Sequence, residues 1–213
     1  MIPSVSELRD TVPMALTASA AGTDTPQIPA APELSGRAGR LARLLAIDER
    51  LLVAARRLHG PWRTTVARAL TRAGNTSSWT AAVLVLLAAG APFTVLSARL
   101  ATATLLGTLF SQALKRSLHR PRPTCAIVGF EALAENPDRF SFPSGHTTAA
   151  FAAAVALAGA PFGLGPLALA LAVGIGLSRV YLGAHYPLDV AVGLALGSAA
   201  GAMSRIGLAA FGF

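Results

Sequence analysis

From Phe140 to Phe213 the chain carries only three charged residues, Arg179, Asp189 and Arg205. About a quarter of the residues in a soluble domain are charged, so a water-facing surface cannot be built from this stretch. Lipid has to solvate it. The whole sequence agrees, with 53% hydrophobic and 13% charged residues and a mean hydropathy of +0.55.

Apolar runs of about twenty residues cross roughly 30 Å of hydrocarbon as helices. Runs of this kind predict spans over about Trp79–Ser97, Leu100–Leu118, Ser144 to the Gly159-Ala160-Pro161 break, Leu164–Leu182, and Pro187–Phe211. Between the second and third lies a polar loop, Arg120–Pro143. Ahead of them, from Arg40 to about His59, Leu41, Leu44, Leu45, Leu51 and Leu52 alternate at helical spacing with Arg43, Arg50, Arg56 and Arg57. Charges recur too often there for a span, so the segment reads as a helix in the membrane interface. A second amphipathic helix follows the Gly60-Pro61 break. The expected class is all-α, an integral-membrane bundle of about five transmembrane helices preceded by one or two interfacial helices. Residues 1–37, rich in Ala, Ser, Thr and Pro, read as a disordered tail. Residues 38–74 are the interfacial helices and 75–213 the transmembrane domain. Gly193, Gly197 and Gly201 recur every fourth residue and let another helix approach closely. Packing within the chain is the expected use, and a homo-oligomer the alternative.

The net charge of +8 would suit nucleic acid, but the arginines cluster beside apolar segments with few aromatics between them. Headgroup-facing arginines explain this better, and no nucleic-acid partner is expected. Cys125 is the sole cysteine, which rules out an internal disulfide and a multi-cysteine metal site.

Alternating spans bring three polar clusters to one membrane face. They are Lys115 through Pro123, Pro143-Ser144-Gly145-His146, and Ser178-Arg179 with His185 and Asp189. A phosphate monoester offers non-bridging oxygens that cationic donors stabilise, and Lys115, Arg122 and Arg179 supply such donors. Ser144 stands where a helix should begin, and a helix N-terminus cradles phosphate through unpaired amides. Gly145 lets a ligand approach the backbone closely. His146, in the first turn, can protonate a leaving alkoxide. His185 and Asp189 share a helix face at i and i+4, so the carboxylate can orient one ring nitrogen and turn the other toward phosphorus. Arg116, Arg120 and Arg139 read as solvated, and His59 and His119 as interface residues. The few other carboxylates form no ligand cluster, so no metal and no cofactor is implied.

These clusters resemble the signature of the type 2 phosphatidic-acid phosphatase superfamily, Lys-x6-Arg-Pro, Pro-Ser-Gly-His and Ser-Arg-x5-His-x3-Asp, with every position filled in order. The resemblance implies a metal-independent lipid phosphatase in which His185 is the nucleophile and forms a phosphohistidine, Asp189 its orienter and His146 the acid. Lys115, Arg122, Ser144, Gly145 and Arg179 would bind the substrate phosphate. The superfamily also contains soluble haloperoxidases that hold vanadate, and the membrane composition argues against that branch. A scaffold that has lost its chemistry should lack a histidine that is present here. The expected substrate is a polyprenyl-phosphoryl sugar phosphate of the decaprenyl-phosphoryl-ribose 5-phosphate type, or phosphatidate or phosphatidylglycerol phosphate. Undecaprenyl diphosphate is the alternative. Nine arginines from Arg37 to Arg72 flank the catalytic face, which the positive-inside rule puts in the cytoplasm of a bacterial cell.

Overall fold

The computed structural model describes residues 36–134 and 138–212. The expected tail lies outside them except for residues 36 and 37. Two units divide at Gly39 and Arg40, and everything below concerns the second. The described helices are α1 (Arg37–Ala55), α2 (Pro61–Ala73), α3 (Thr76–Ala88), α4 (Phe93–Leu118), the single turn α5 (Pro123–Ala126), α6 (Gly145–Ala156), α7 (Leu164–Tyr181) and α8 (Pro187–Ala210). A 3-10 turn, Arg56–Leu58, extends α1.

α6 is the centre. Its residues from Thr147 to Ala154 are all buried, and α4, α7 and α8 pack around it. Alanines at 149, 150, 152, 153 and 154 leave room for three neighbours to come close, as small residues do between membrane helices. The glycine stripe of α8 supplies the tightest contact. A methyl group at Gly197 would lie 2.2 Å from the Thr148 carbonyl oxygen, and one at Gly201 would lie 2.6 Å from that of Ala152. Gly193, Gly197 and Gly201 are therefore used inside the chain against α6. The stripe is thus buried within the chain.

α4, α7 and α8 are long and apolar enough to cross a membrane. α3 and α6, with 13 and 12 residues, rise only about 20 Å and 18 Å at ~1.5 Å per residue. Of the five expected spans, three correspond to helices long and apolar enough to cross a membrane, and α3 and α6 are shorter. The span expected over Trp79–Ser97 is divided. α3 ends at Ala88, a turn follows, and Phe93–Ser97 already belongs to α4. Gly90 adopts φ +71 in that turn, and Pro92 has no amide hydrogen to continue a helix. Ala-Gly-Ala-Pro is apolar enough that hydropathy runs straight through it. After the turn α4 doubles back along α3, tied to it where Ser97 Oγ donates to the Val83 carbonyl at 3.0 Å.

Helix direction alternates, so the starts of α3, α6 and α8 meet the ends of α4 and α7. α2 docks on the last turns of α7. Leu70 packs on Gly174, and the Tyr181 hydroxyl accepts from the Gly60 amide at 3.0 Å. α1 touches the body more sparingly, through Leu52 in a small cluster with Phe130 and Tyr186 and through the buried carboxylate of Asp48.

Candidate active site

At this meeting of helix ends lies a cavity of about 1160 Å³, into which Lys115, Arg122, Gly145, His146, Arg179 and His185 all project. The three clusters, spread along the chain from Lys115 to Asp189, thus contribute to one chamber. Lys115 comes from the last turn of α4. His119 then takes the left-handed conformation at φ 47 and turns the chain, and a bridge between Pro121 and Phe140 brings Arg122 back under the cavity. Arg122 is buried. Its Nε donates to the Asp138 carbonyl at 2.7 Å and its Nη1 to the Ala184 carbonyl at 2.8 Å.

His185 is 1% exposed. Arg122 Nη1 stands 3.5 Å from His185 Nε2, and a guanidinium can only donate, so the lone pair belongs on Nε2 and the proton on Nδ1. Nδ1 faces Asp189 Oδ2 at 3.5 Å, beyond close hydrogen-bond range. The same oxygen accepts from the Tyr186 amide at 3.0 Å. Burial, opposed by Asp189 and aided by the charges of Arg179 and Arg122, leaves the His185 pKa down at about 4. The ring is neutral at physiological pH.

Ser144 caps α6. Its Oγ accepts from the Thr147 amide at 3.4 Å and from the Thr147 hydroxyl at 2.9 Å. It is fully buried and lies behind the cavity wall, so its hydroxyl serves the helix start. The amides of Gly145 and His146, which a helix cannot pair internally, remain at the wall. The ring of His146 faces the cavity with Nε2 3.0 Å from Asn75 Oδ1. Arg179 Nη1 donates to Thr71 Oγ1 at 2.8 Å.

Five residues outside the motifs belong to this site. Asp138 pairs with Lys115 and stands 3.8 Å from Arg122. Burial alone would raise its pKa, but the hydrogen bond and charge of Lys115, with Arg122, hold it below the usual carboxylate value. Asn75 holds His146. Ser111, one turn before Lys115, is 2% exposed and its Oγ has no hydrogen-bond partner. By contrast, Thr104, Thr108 and Ser117 on the same helix bond the carbonyl four residues back. Ser111 lines the cavity close to Gly145. Arg120, expected to be solvated, is instead paired with Asp189 and Asp48, each at 2.7 Å. Helical spacing could have flagged Ser111; nothing in the sequence pattern pointed to Asn75, Asp138 or Asp48.

The remaining wall is mixed, with Leu133, Ala134 and Ala149 among polar side chains. α2 contributes Arg68, Thr71 and Arg72, the start of α3 contributes Asn75 to Ser77, and α4 contributes Thr108 and Gln112. It is α2, therefore, and not α1, that lines the cavity. Among the described residues no three His, Cys, Asp or Glu side chains converge as metal ligands.

A family model described as the PAP2 superfamily matches residues 96–208. The chain is 43% identical over 90 residues to a decaprenylphosphoryl-5-phosphoribose phosphatase of Mycobacterium tuberculosis, covering 42% of this chain and 49% of that protein. It is 36% identical over 108 residues to a lipid A 1-phosphatase of Rhizobium etli, covering 48% and 46%. The chain thus spans about half the length of these curated relatives. Among solved structures it resembles the transmembrane PAP2 type phosphatidylglycerolphosphate phosphatase of Bacillus subtilis, with a TM-score of 0.68, 26% identity, and 76% of this chain and 85% of that one covered. Together with the three apolar helices long enough to cross a bilayer, this likeness identifies an integral membrane protein.

Proposed function

The chain belongs to the PAP2 superfamily, and on that premise we propose that it is a lipid phosphatase working through a phosphohistidine at His185. The observation that carries this reading is the shared cavity. A neutral, buried histidine presents Nε2 to the same chamber as Lys115, Arg122, Arg179 and two helix-start amides. The cations and the amides of Gly145 and His146 take the non-bridging oxygens, and Ser111 adds a hydroxyl donor beside them. His185 Nε2 attacks phosphorus, the P–O bond to the lipid headgroup breaks, and His146, protonated alongside the bound phosphate anion, gives that proton to the departing oxygen. Water, deprotonated by His146, then cleaves the P–N bond and returns His185 and inorganic phosphate. Ser144 serves as the cap that forms the cradle, and Asp189 orients His185. In this reading residues 75–213 form the phosphatase domain, and the surface helices lie within 38–74.

The substrate class we favour is a polyprenyl-phosphoryl sugar phosphate. The cavity is larger than a phosphate needs, and away from the phosphate-binding cations its wall carries hydroxyl, amide and guanidinium groups among Leu133, Ala134 and Ala149, which suits a headgroup with a second anion. Arg68 and Arg72 share one face of α2, where they can meet a phosphodiester. The curated relative of 43% identity bears a name of this class. The arginine-rich face suits the cytoplasmic side of a bacterial cell membrane. Purified enzyme offered a decaprenyl-phosphoryl-ribose 5-phosphate, phosphatidate, phosphatidylglycerol phosphate and undecaprenyl diphosphate should release phosphate fastest from the first. Release from none of them in active-site-titrated protein would refute the reading, and a preference for phosphatidate would refute the substrate class.

A further inference from the structure

Beside the cavity, and outside its lining, runs a chain of buried charge. Arg120 donates from Nη1 to Asp189 Oδ1 and from Nη2 to Asp48 Oδ2, each at 2.7 Å. Its guanidinium lies 4.0 Å above the Tyr186 ring. The second oxygen of Asp48 accepts from the Leu188 amide at 2.7 Å, so a carboxylate on α1 caps the first turn of α8. Asp48 is 4% exposed and Asp189 is fully buried. Burying two carboxylates around one guanidinium carries a desolvation cost that hydrophobic residues would avoid. Anchoring α1 does not require it, because Leu41, Leu44, Leu45 and Leu51 lie exposed on that helix and can enter lipid directly.

We infer that Asp48 and Arg120 are positioning residues for the reaction. They hold the Asp189 carboxylate in the orientation that serves His185, which makes α1 part of the catalytic apparatus although it lies outside the family-matched segment. The inference rests on the reading of His185 as nucleophile. Asp189 is shared between two cations-in-waiting. One oxygen is drawn to Arg120, and the other stands off from His185 Nδ1 at 3.5 Å. Arg120 therefore limits how strongly the carboxylate can attract a proton to the ring. The other charged or titratable groups around His185 are Arg179 from α7, Arg122 and Asp138 from the connecting loop, and His146 from α6. Substituting Arg120 or Asp48 leaves all of them in place.

The test uses the full chain in lipid micelles, with kinetics on a long-chain lipid phosphate and ¹⁵N-histidine resonances, which number only four residues. Arg120→Gln should lower kcat by about ten- to a hundredfold, the scale of losing the outer partners that orient metal-bound histidines, with KM nearly unchanged. The His185 titration and the acid limb of kcat/KM should both move to higher pH. Asp48→Asn keeps an acceptor for Leu188 and should lower kcat less, but it removes a negative charge and leaves Arg120 more fully to Asp189, so the His185 titration should move slightly to lower pH. Arg120→Lys should restore part of kcat. If Arg120→Gln does not fold, Asp48→Asn and Arg120→Lys carry the test. An unchanged His185 titration in the folded variants overturns the positioning role, as does a rise in KM at constant kcat. If His185→Ala itself stays active, the nucleophile reading has failed instead, and the two failures are distinct.

Discussion

Asp189 holds Oδ2 3.5 Å from Nδ1 of His185 while Arg122 stands 3.5 Å from Nε2 on the other side of the ring. The imidazole is thereby held with its lone pair toward the cationic end of the cavity. Rapid quench with labelled lipid substrate should trap a phosphoenzyme that is labile to acid and stable to base. His185→Ala should abolish the label and lower turnover by roughly 10⁴-fold, the scale of losing a nucleophile–base element. His146→Ala should retain the label with activated aryl phosphates, which need no proton to leave, and lose it with alkyl ones. Label remaining in His185→Ala would place the covalent step elsewhere. Excess EDTA should leave turnover unchanged.

The neutral ring also sets a pH dependence. Protonation removes the attacking lone pair, and burial has moved that protonation down to about 4. The free-enzyme profile, kcat/KM, should therefore stay level as pH falls through 6.5 and drop only near 4. This holds once the substrate's own ionisation near pH ~6 is divided out. A limb remaining at 6.5 would mean that water reaches His185 and the burial is not maintained.

Asp138 offers Lys115 a carboxylate where an incoming phosphate would bind. Because the carboxylate is partly exposed, the attraction it provides is modest. Asp138→Asn should lower KM, and the inhibition constant of orthovanadate, by about two- to tenfold at low salt, with kcat little changed. The lowered pKa of Asp138 keeps it charged through mild acid, so falling pH should not mimic the substitution until below its ordinary titration range. A rise in KM would show instead that Asp138 aligns Lys115 for substrate.

The two arginines of α2 allow the substrate class to be tested separately from the chemistry. Arg68→Gln with Arg72→Gln should raise KM for a phosphoryl-sugar phosphate lipid by tenfold or more. It should spare phosphatidate and a short aryl phosphate, since remote binding is lost without touching the reacting centre. Equal loss on every substrate in the α2 variant would assign those arginines to folding.

The motif residues were legible because each type has a defined chemistry at a defined spacing, and the helix alternation that gathers them follows from apolar run length alone. Pro187 at the start of α8 and Ser144 at the start of α6 stand where cap chemistry predicts. The turn at Gly90–Pro92 was invisible to hydropathy because it is built from apolar residues. Arg120 was misread for a related reason. A charged residue between a helix end and a proline looks solvated unless its partners are known, and Asp48 and Asp189 lie 72 and 69 residues away. Asn75 and Asp138 likewise reach the site only through tertiary folding.

Sidedness can be tested with the chain's own cysteine. Cys125 lies in α5, exposed, within the connection between α4 and α6 that also carries Arg120 and Arg139, with Arg116 in the last turn of α4. The arginines of α1 and α2 precede α3, which starts on the same face. At the opposite end Arg99 and Arg205 line a small cleft between α4 and α8, where few other cations occur. This imbalance favours retaining the catalytic face in the cytoplasm, since arginines near span ends resist translocation. In intact cells an impermeant maleimide should leave Cys125 unmodified, and should label it after permeabilisation. A Cys125→Ser chain with cysteine introduced at Ala89, in the α3–α4 turn, should show the reverse. Labelling of Cys125 in intact cells, with protection at position 89, would put the cavity on the outer face and require its lipid substrate to be presented there.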